Sequence, residues 1–333
     1  MVLTKNIINK DNSIEGHKKG VSHMSKLLIN IRGGLGNQMF QYAFGIYLNA
    51  KLNVRLEYNI HAFASYGLHN NYELDDIFNI NATYISLEES NKYLGYTKNK
   101  SNSNITLFKE KVIRFFNEVM RKWYVHNGYL IIENKAEEFR YINREVNITK
   151  HSVFMKGFWQ SYKYIESVDR LLLNEFKFPE LVSEKNKDLK DFISTNLCVS
   201  IHVRRGDYLN FQKFSNICTP TYYSNAISLV KEELEDICFI VFSDDIDWCK
   251  RNLNFKGSIT KYVDWNSGKN SYIDMQLMSI CDHNIIANST FSWWGAWLNQ
   301  NNNKIVIAPN KWIGNESDTC DLIPPTWKKC STD

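Results

Sequence analysis

The residues with the clearest chemistry lie at the end of one apolar run. In Cys198-Val199-Ser200-Ile201-His202-Val203-Arg204-Arg205-Gly206-Asp207-Tyr208 the β-branched Val199, Ile201 and Val203 alternate. The spacing predicts a sheet strand over Cys198–Val203, and Gly206 permits a turn after it. Charged groups at the C-terminal end of such a strand stand where open α/β sheets bind ligands. Two arginines beside His202 point to an anion, with phosphate the natural choice. A guanidinium forks onto phosphate oxygens and keeps its charge at every working pH. An Arg–Asp ion pair closing a βα turn is the alternative reading.

A second candidate site comes early in the chain. Arg32-Gly33-Gly34-Leu35-Gly36-Asn37-Gln38 follows the short apolar run Leu27–Ile31 and precedes a segment apolar on most sides, from Met39 to Leu48. This is a strand, a glycine-rich turn and a buried helix. Gly34 and Gly36 fit G-x-G, but Met39 stands where a dinucleotide fingerprint has its third glycine. Glycines still let a ligand approach the backbone, and a helix N-terminus still favours an anion. Asn37 and Gln38 add amides able to face a sugar or a phosphate. The turn can equally serve only to pack strand against helix.

Further polar groups close the other apolar runs. Ser243-Asp244-Asp245 follows Cys238–Phe242, and Asn288-Ser289-Thr290 follows Asn284–Ala287. Hydroxyls at a helix N-terminus can donate to phosphate, and a carboxylate can accept from guanine N1–H. Capping of the next helix is the competing role for Asp244 and Asp245. Trp293, Trp294 and Trp297 read as core. Val153–Gln160 reads as a strand ending in Trp159 and Gln160, which suit either a sugar or a core.

These groups need elements to hold them. Leu52–Tyr58 predicts a second strand, so the chain opens βαβ. Tyr72–Phe78 is an acidic, aromatic patch. The apolar spacing from 108 to 123, filled in with lysines and arginines, predicts an amphipathic basic helix that packs on its own domain or rests on an anionic membrane surface. The charged stretch 178–196 reads as a linker. Thereafter strands alternate with helices. Thr219 caps a helix with Pro220 at its first position, running to about Glu235. A short helix around Trp248 and a strand near 259–263 follow. A helix covers Ser271–Cys281, another opens at Phe291, and Lys304–Ala308 is the last strand. Repeated βα units imply a doubly wound parallel sheet.

Composition narrows the function classes. A chain of 333 residues with a net charge of +4 lacks the dense basic face of a nucleic-acid binder. Its seven cysteines (198, 218, 238, 249, 281, 320 and 330) are odd in number and contain no C-x-x-C pair. They read as reduced thiols without zinc spacing. No apolar run reaches the roughly 18 residues of a membrane span. The first 25 residues are polar and read as a loose arm, and the protein reads as cytosolic.

Taken together, the motifs resemble those of the bacterial α-1,2-fucosyltransferases, glycosyltransferase family 11. The resemblance is carried by Ile31–Ala43, by His202-Val203-Arg204-Arg205-Gly206-Asp207-Tyr208, and by Asp274–Ser279 through Ile285–Trp294. The middle motif is shared with α-1,6- and protein O-fucosyltransferases. The similarity runs in order from about Leu27 to Trp312. It implies a GT-B fold: an arm over 1–25, an acceptor-binding domain over 26–180 and a GDP-fucose-binding domain over 181–333. It implies that Arg204 contacts the donor pyrophosphate with His202 beside it, and that Asp274 holds guanine. Ser289, Thr290 and Phe291, with Ser292, would form the nucleotide loop, and Asn37 would lie near the donor. Gly34, Gly36, Arg205, Ser243 and Asp244 complete the expected donor site.

The implied reaction is inverting transfer of L-fucose from GDP-β-L-fucose to the 2-hydroxyl of a terminal β-galactoside, on an O-antigen unit or a lactose-type oligosaccharide. Charge growing on the departing GDP calls for fixed positive charge, as an oxyanion hole supplies. Arg204 can provide it, so neither metal nor cofactor is expected. Asp245-Ile246-Asp247 fits a helix start better than a metal motif. Asp207 is the candidate base or arginine holder, and Glu57, Glu73, Trp159 and Gln160 are the acceptor-side candidates, with Asp75 nearby. The competing readings are a fucosyltransferase of other regiochemistry and a non-catalytic GDP-sugar binder. Contact with the membrane surface, if any, is expected to be peripheral.

Overall fold

A computed structural model describes residues 25–65, 70–94, 123–126, 129–134, 139–142, 152–314 and 321–333. The expected arm over 1–25, save its last residue, and the basic helix up to 122 lie outside them. Trp123, the last residue of that expected helix, opens a strand instead.

The first sheet holds β1 (Lys26–Asn30), β2 (Arg55–Asn59), β3 (Trp123–His126), β4 (Tyr129–Glu133) and β5 (Ser152–Lys156), ordered β2-β1-β5-β4-β3. Only the β3–β4 pair is antiparallel. Leu27, Leu28 and Ile29 are buried on both faces, as a covered parallel strand requires. α1 (Leu35–Leu52) starts on Gly34 and ends on Asn53, whose φ of 48° is the left-handed cap that Asn tolerates. The second strand therefore begins at Arg55, because the helix runs on through Leu52. Short helices α2 (Leu74–Ile77) and α3 (Leu87–Leu94) follow.

α4 (Tyr162–Glu166), α5 (Asp169–Glu175) and α6 (Glu184–Thr195) lead into the second half. The stretch read as a linker is thus helical over α6. Leu189 and Ile193, four apart, bury its inner face against Cys198, Cys238 and Ile240. The second sheet holds β6 (Cys198–Val203), β7 (Cys238–Ser243), β8 (Thr260–Val263), β9 (His283–Ile285), β10 (Val306–Pro309) and β11 (Lys328–Cys330). Its order is β11-β10-β9-β6-β7-β8, parallel throughout. Between the strands run α7 (Pro220–Lys231), α8 (Ile246–Asn252), α9 (Tyr272–Ile280) and α10 (Thr290–Leu298). Thr219 caps α7 as expected, accepting from Tyr222 N at 3.3 Å.

Two Rossmann-like units of this kind make the expected GT-B architecture. In the second sheet the strand order reverses between β6 and β9, and in the first between β1 and β5. A ligand crevice is expected at each reversal, outside the strand C-termini. The two units share one apolar core: Phe40 of α1 packs on Trp293 and Trp294 of α10, at 4.6 and 5.1 Å between ring centres. Leu322, Ile323 and Trp327 from the chain's end join the same cluster.

Candidate functional site

The residues following β6 and β9 line the second crevice. Arg204 and Arg205 take different partners. One terminal nitrogen of Arg204 meets Asp207 Oδ1 at 2.7 Å, and the other meets Asp244 Oδ2 at 3.0 Å. Its guanidinium lies 5.6 Å from the centre of the Tyr208 ring. Arg205 is committed to structure, with Nε on Asp245 Oδ2 at 3.1 Å and its guanidinium 4.1 Å over Trp248. Asp245 and Ser243 serve α8. Asp245 accepts from Trp248 N, and Ser243 Oγ accepts from Asp245 N. Asp244 instead turns back and also accepts from Arg205 N at 2.9 Å. Gly206 makes room for this, since a Cβ there would lie 2.8 Å from Asp244 Oδ2. The arginine–aspartate pairing of the alternative reading is therefore present at both positions, Arg204 with Asp207 and Asp244 and Arg205 with Asp245.

His202 is buried beneath this cluster, 5.6 Å from the Phe291 ring. Burial, reinforced by the Arg204 charge, lowers its pKa to about 3, so the ring is neutral. Its Nδ1 has no partner among the described residues. Asp274, in the first turn of α9, is pushed up to about 7 by burial, against a lowering hydrogen bond from Asn266 Nδ2 at 2.8 Å. Asn266 also pairs with Asn186 of α6 at 2.9 Å, so the helix read as a linker props the carboxylate. A buried imidazole nitrogen without a partner and a desolvated carboxylate are the groups a polar ligand would complete.

The first crevice meets the second at Asn37. Its Oδ1 accepts from Gln160 Nε2 at 2.7 Å and from Thr290 Oγ1 at 3.0 Å. Asn37 follows β1, Gln160 follows β5, and Thr290 follows β9, so both strand-order reversals converge here. Two donors on one atom identify it as the oxygen, which leaves the Asn37 amide nitrogen as a donor beside Gly33, where a Cβ would lie 2.9 Å from it. Trp159 has φ 54°, left-handed and strained for a bulky side chain, in the turn that delivers Gln160. Gly36 lets the helix starts touch: a Cβ there would lie 2.5 Å from the Thr290 carbonyl carbon. Trp294 Nε1 donates to Gly36 O at 3.0 Å. Ser289, the N-cap of α10, makes no side-chain bond to its helix. Ser292 is fully buried, its hydroxyl on Ser289 O, and supports the loop from behind.

The acceptor-side candidates divide. Trp159 is 2 % exposed and stacks flat on Phe44 at 4.2 Å, so its face is taken by the core and is not open to a sugar. Both Glu57 oxygens are held, by Lys26 at 2.7 Å and Arg55 at 2.6 Å, near the start of β1 and away from the crevice. Gln160 serves Asn37. Glu73 alone lines a pocket, formed with Asn70, Asp76 and Ile77 of the first half and Lys269 and Tyr272 of the second. Asp75 is bonded by Tyr84 and Tyr72.

Sequence reasoning missed Asn186, Asn266 and Arg32. The Arg32 guanidinium lies 4.5 Å over Phe158 at the first crevice, and its position just before the glycine turn was the available signal. No group of three or more histidine, cysteine, aspartate or glutamate side chains suited to a metal converges among the described residues.

Residues 26–328 match the model of Glycosyl transferase family 11. An alpha-1,2-colitosyltransferase of Escherichia coli is 34% identical over 310 residues, covering 91% of this chain and 98% of that protein. The O-antigen biosynthesis glycosyltransferase WbnK of Escherichia coli is 34% identical over 298 residues, covering 85% and 93%. Among solved structures, the alpha-1,6-fucosyltransferase NodZ soaked with GDP-fucose superposes with a TM-score of 0.46 at 14% identity, covering 83% of this chain and 92% of that one.

Proposed function

The chain belongs to glycosyl transferase family 11, and from that premise we propose that it transfers a 6-deoxyhexose from a GDP-linked donor to the 2-hydroxyl of a terminal β-galactoside. L-Fucose is the first choice of sugar. The observation that carries this reading is Arg204, set at the C-terminal end of a central strand, on the crevice where the two sheets reverse order.

In this reading the diphosphate lies against Arg204 and the open start of α10. The two carboxylates flank the terminal nitrogens of the guanidinium, which keeps further N–H groups able to donate to phosphate. Asp207 and Asp244 fix its plane. Guanine completes Asp274 and the free nitrogen of His202. The Asn37 amide, held from both halves, faces the donor. As the sugar–phosphate bond breaks, negative charge on GDP meets a positive charge that need not reorganise. The acceptor 2-hydroxyl attacks from the opposite face, forming the new glycosidic bond as the bond to phosphate breaks, losing its proton to water and inverting the anomeric centre.

The 34% identity to a colitosyltransferase favours a second donor. Colitose is fucose without its 3-hydroxyl. A site built to bond that hydroxyl would reject colitose by roughly 10⁴–10⁵, whereas an apolar one discriminates by only about 10². GDP-fucose and GDP-colitose, each offered with a β-galactoside and read by mass and linkage analysis, test both readings. An α-1,2-linked fucosyl or colitosyl product is expected. Another linkage, or GDP binding without transfer, refutes the proposal. Activity surviving a chelator would support charge neutralisation by arginine alone.

A further inference from the structure

The pocket between the halves, about 330 Å³ in volume, is at the small end of ligand pockets, which run roughly 300–1,000 Å³. Its first-half wall is tied to the glycine turn. Gln38 Oε1 accepts from Glu73 N at 2.9 Å, and Gln38 Nε2 donates to Gly33 O and Asn71 O. Its second-half wall is the start of α9, where Asn70 Nδ2 reaches Gly268 O at 2.8 Å and Ser271 Oγ at 3.2 Å. The pocket therefore lies between the two halves, with one wall braced by the glycine turn and the other by the start of α9.

Glu73 is 6 % exposed, and among the described residues its carboxylate has one hydrogen-bond donor, Asn70 Nδ2 on Oε1 at 3.0 Å. Burial raises its pKa, with Asp76 adding to the rise and Asn70 opposing it. A desolvated carboxylate with an oxygen to spare calls for a hydroxyl donor. Two carboxylates, Glu73 and Asp76, outnumber the single cation Lys269 on the lining. That balance repels a diphosphate and admits a neutral, hydroxyl-rich ligand.

We propose that this pocket seats the neutral acceptor sugar, with Glu73 accepting a hydrogen bond from one of its hydroxyls and Lys269 and Tyr272 closing over it from the donor half. The assignment rests on the family reading above and adds where the acceptor binds. It places the nucleotide elsewhere, against Arg204 and Asp274.

Lactose with GDP-fucose serves as the probe pair, and GDP titration of the same preparations reports the donor site. In E73Q the KM for lactose should rise about ten- to a hundredfold, the loss expected for a bond to a charged acceptor, while GDP affinity stays at the wild-type value. K269A, on an exposed side chain, should raise the lactose KM by a smaller factor without affecting folding. An unchanged lactose KM in an E73Q protein that still binds GDP overturns the inference. So does weakened GDP binding in E73Q with the lactose KM intact, which would give the pocket to the donor. Wild-type protein that binds GDP but shows no saturation-transfer NMR contact with lactose also overturns it. Failure of the wild type to bind GDP at all would instead strike the GDP-sugar transfer proposed above.

Discussion

At the scale of single residues, charge and hydrogen bonding decide what the site can do. Arg204→Ala should lower turnover by about 10²–10³, the cost typical of one lost transition-state donor. The check is kcat on protein whose circular dichroism matches wild type. Gln160 has a different role, because it touches Asn37 and is nearly buried itself. Gln160→Ala should reduce kcat about tenfold by freeing the Asn37 amide to rotate, while GDP affinity holds. A simple structural loss would change both together with the melting temperature. Asp274 gives the pH dependence. Its pKa is raised to about 7 from an ordinary 3.8, so the folded protein binds this proton more tightly than the unfolded chain does. Its contribution to stability is full below pH 4 and is lost as pH rises through 7. In the donor site proposed above guanine bonds to the ionised form, so GDP affinity should increase as pH rises through about 7 and then level off. Asp274→Asn should flatten that profile in calorimetric titrations between pH 5.5 and 8.5.

At the scale of elements, the glycine in the first turn of α1 carries the tightest demand. Gly36→Ala would drive a methyl into the Thr290 backbone, and overpacking of this kind costs about 1–3 kcal/mol. Urea unfolding should show the midpoint fall with activity impaired alongside. Five of the second sheet's six strands were legible, since their β-branched runs end in polar groups and the helices between them carry a Thr-Pro cap or a Trp-rich apolar face; β11, two lysines and a cysteine beyond the strand read as the last, was not. The crevice residues followed from that order. The first half was harder. Trp123–Ile132 contains Asn127-Gly128 between residues of high strand propensity, the strongest short-range hairpin signal, and the helical spacing upstream obscured it. α6 was hidden by its lysines and aspartates, because only Leu189, Ile193 and Asn186 face inward. Trp159 could not be placed by type alone. Its stacking on Phe44 comes from a partner more than a hundred residues away in the chain.

At the scale of the molecule, the two sheets are separate but the hydrophobic core is not. Phe40, Phe176, Trp293 and Trp294 interlock across the seam, with Trp293 Nε1 bonded to Leu322 O. Domains joined through a large apolar interface lose the independent motion otherwise expected of them. Scanning calorimetry should therefore give a single cooperative transition despite the chain's length, and two resolved transitions would contradict a common core. No helix among the described residues is long and apolar enough to cross a membrane. The welded seam also sets a rule for building hybrids. Exchanging front and rear modules between relatives, to graft one enzyme's glycan preference onto another's nucleotide-sugar machinery, would break contacts through Gly36, Phe40 and the tryptophan pair at the cut. A working chimaera should carry residues 35–52 together with 290–298 from the same parent, whichever parent supplies the rest.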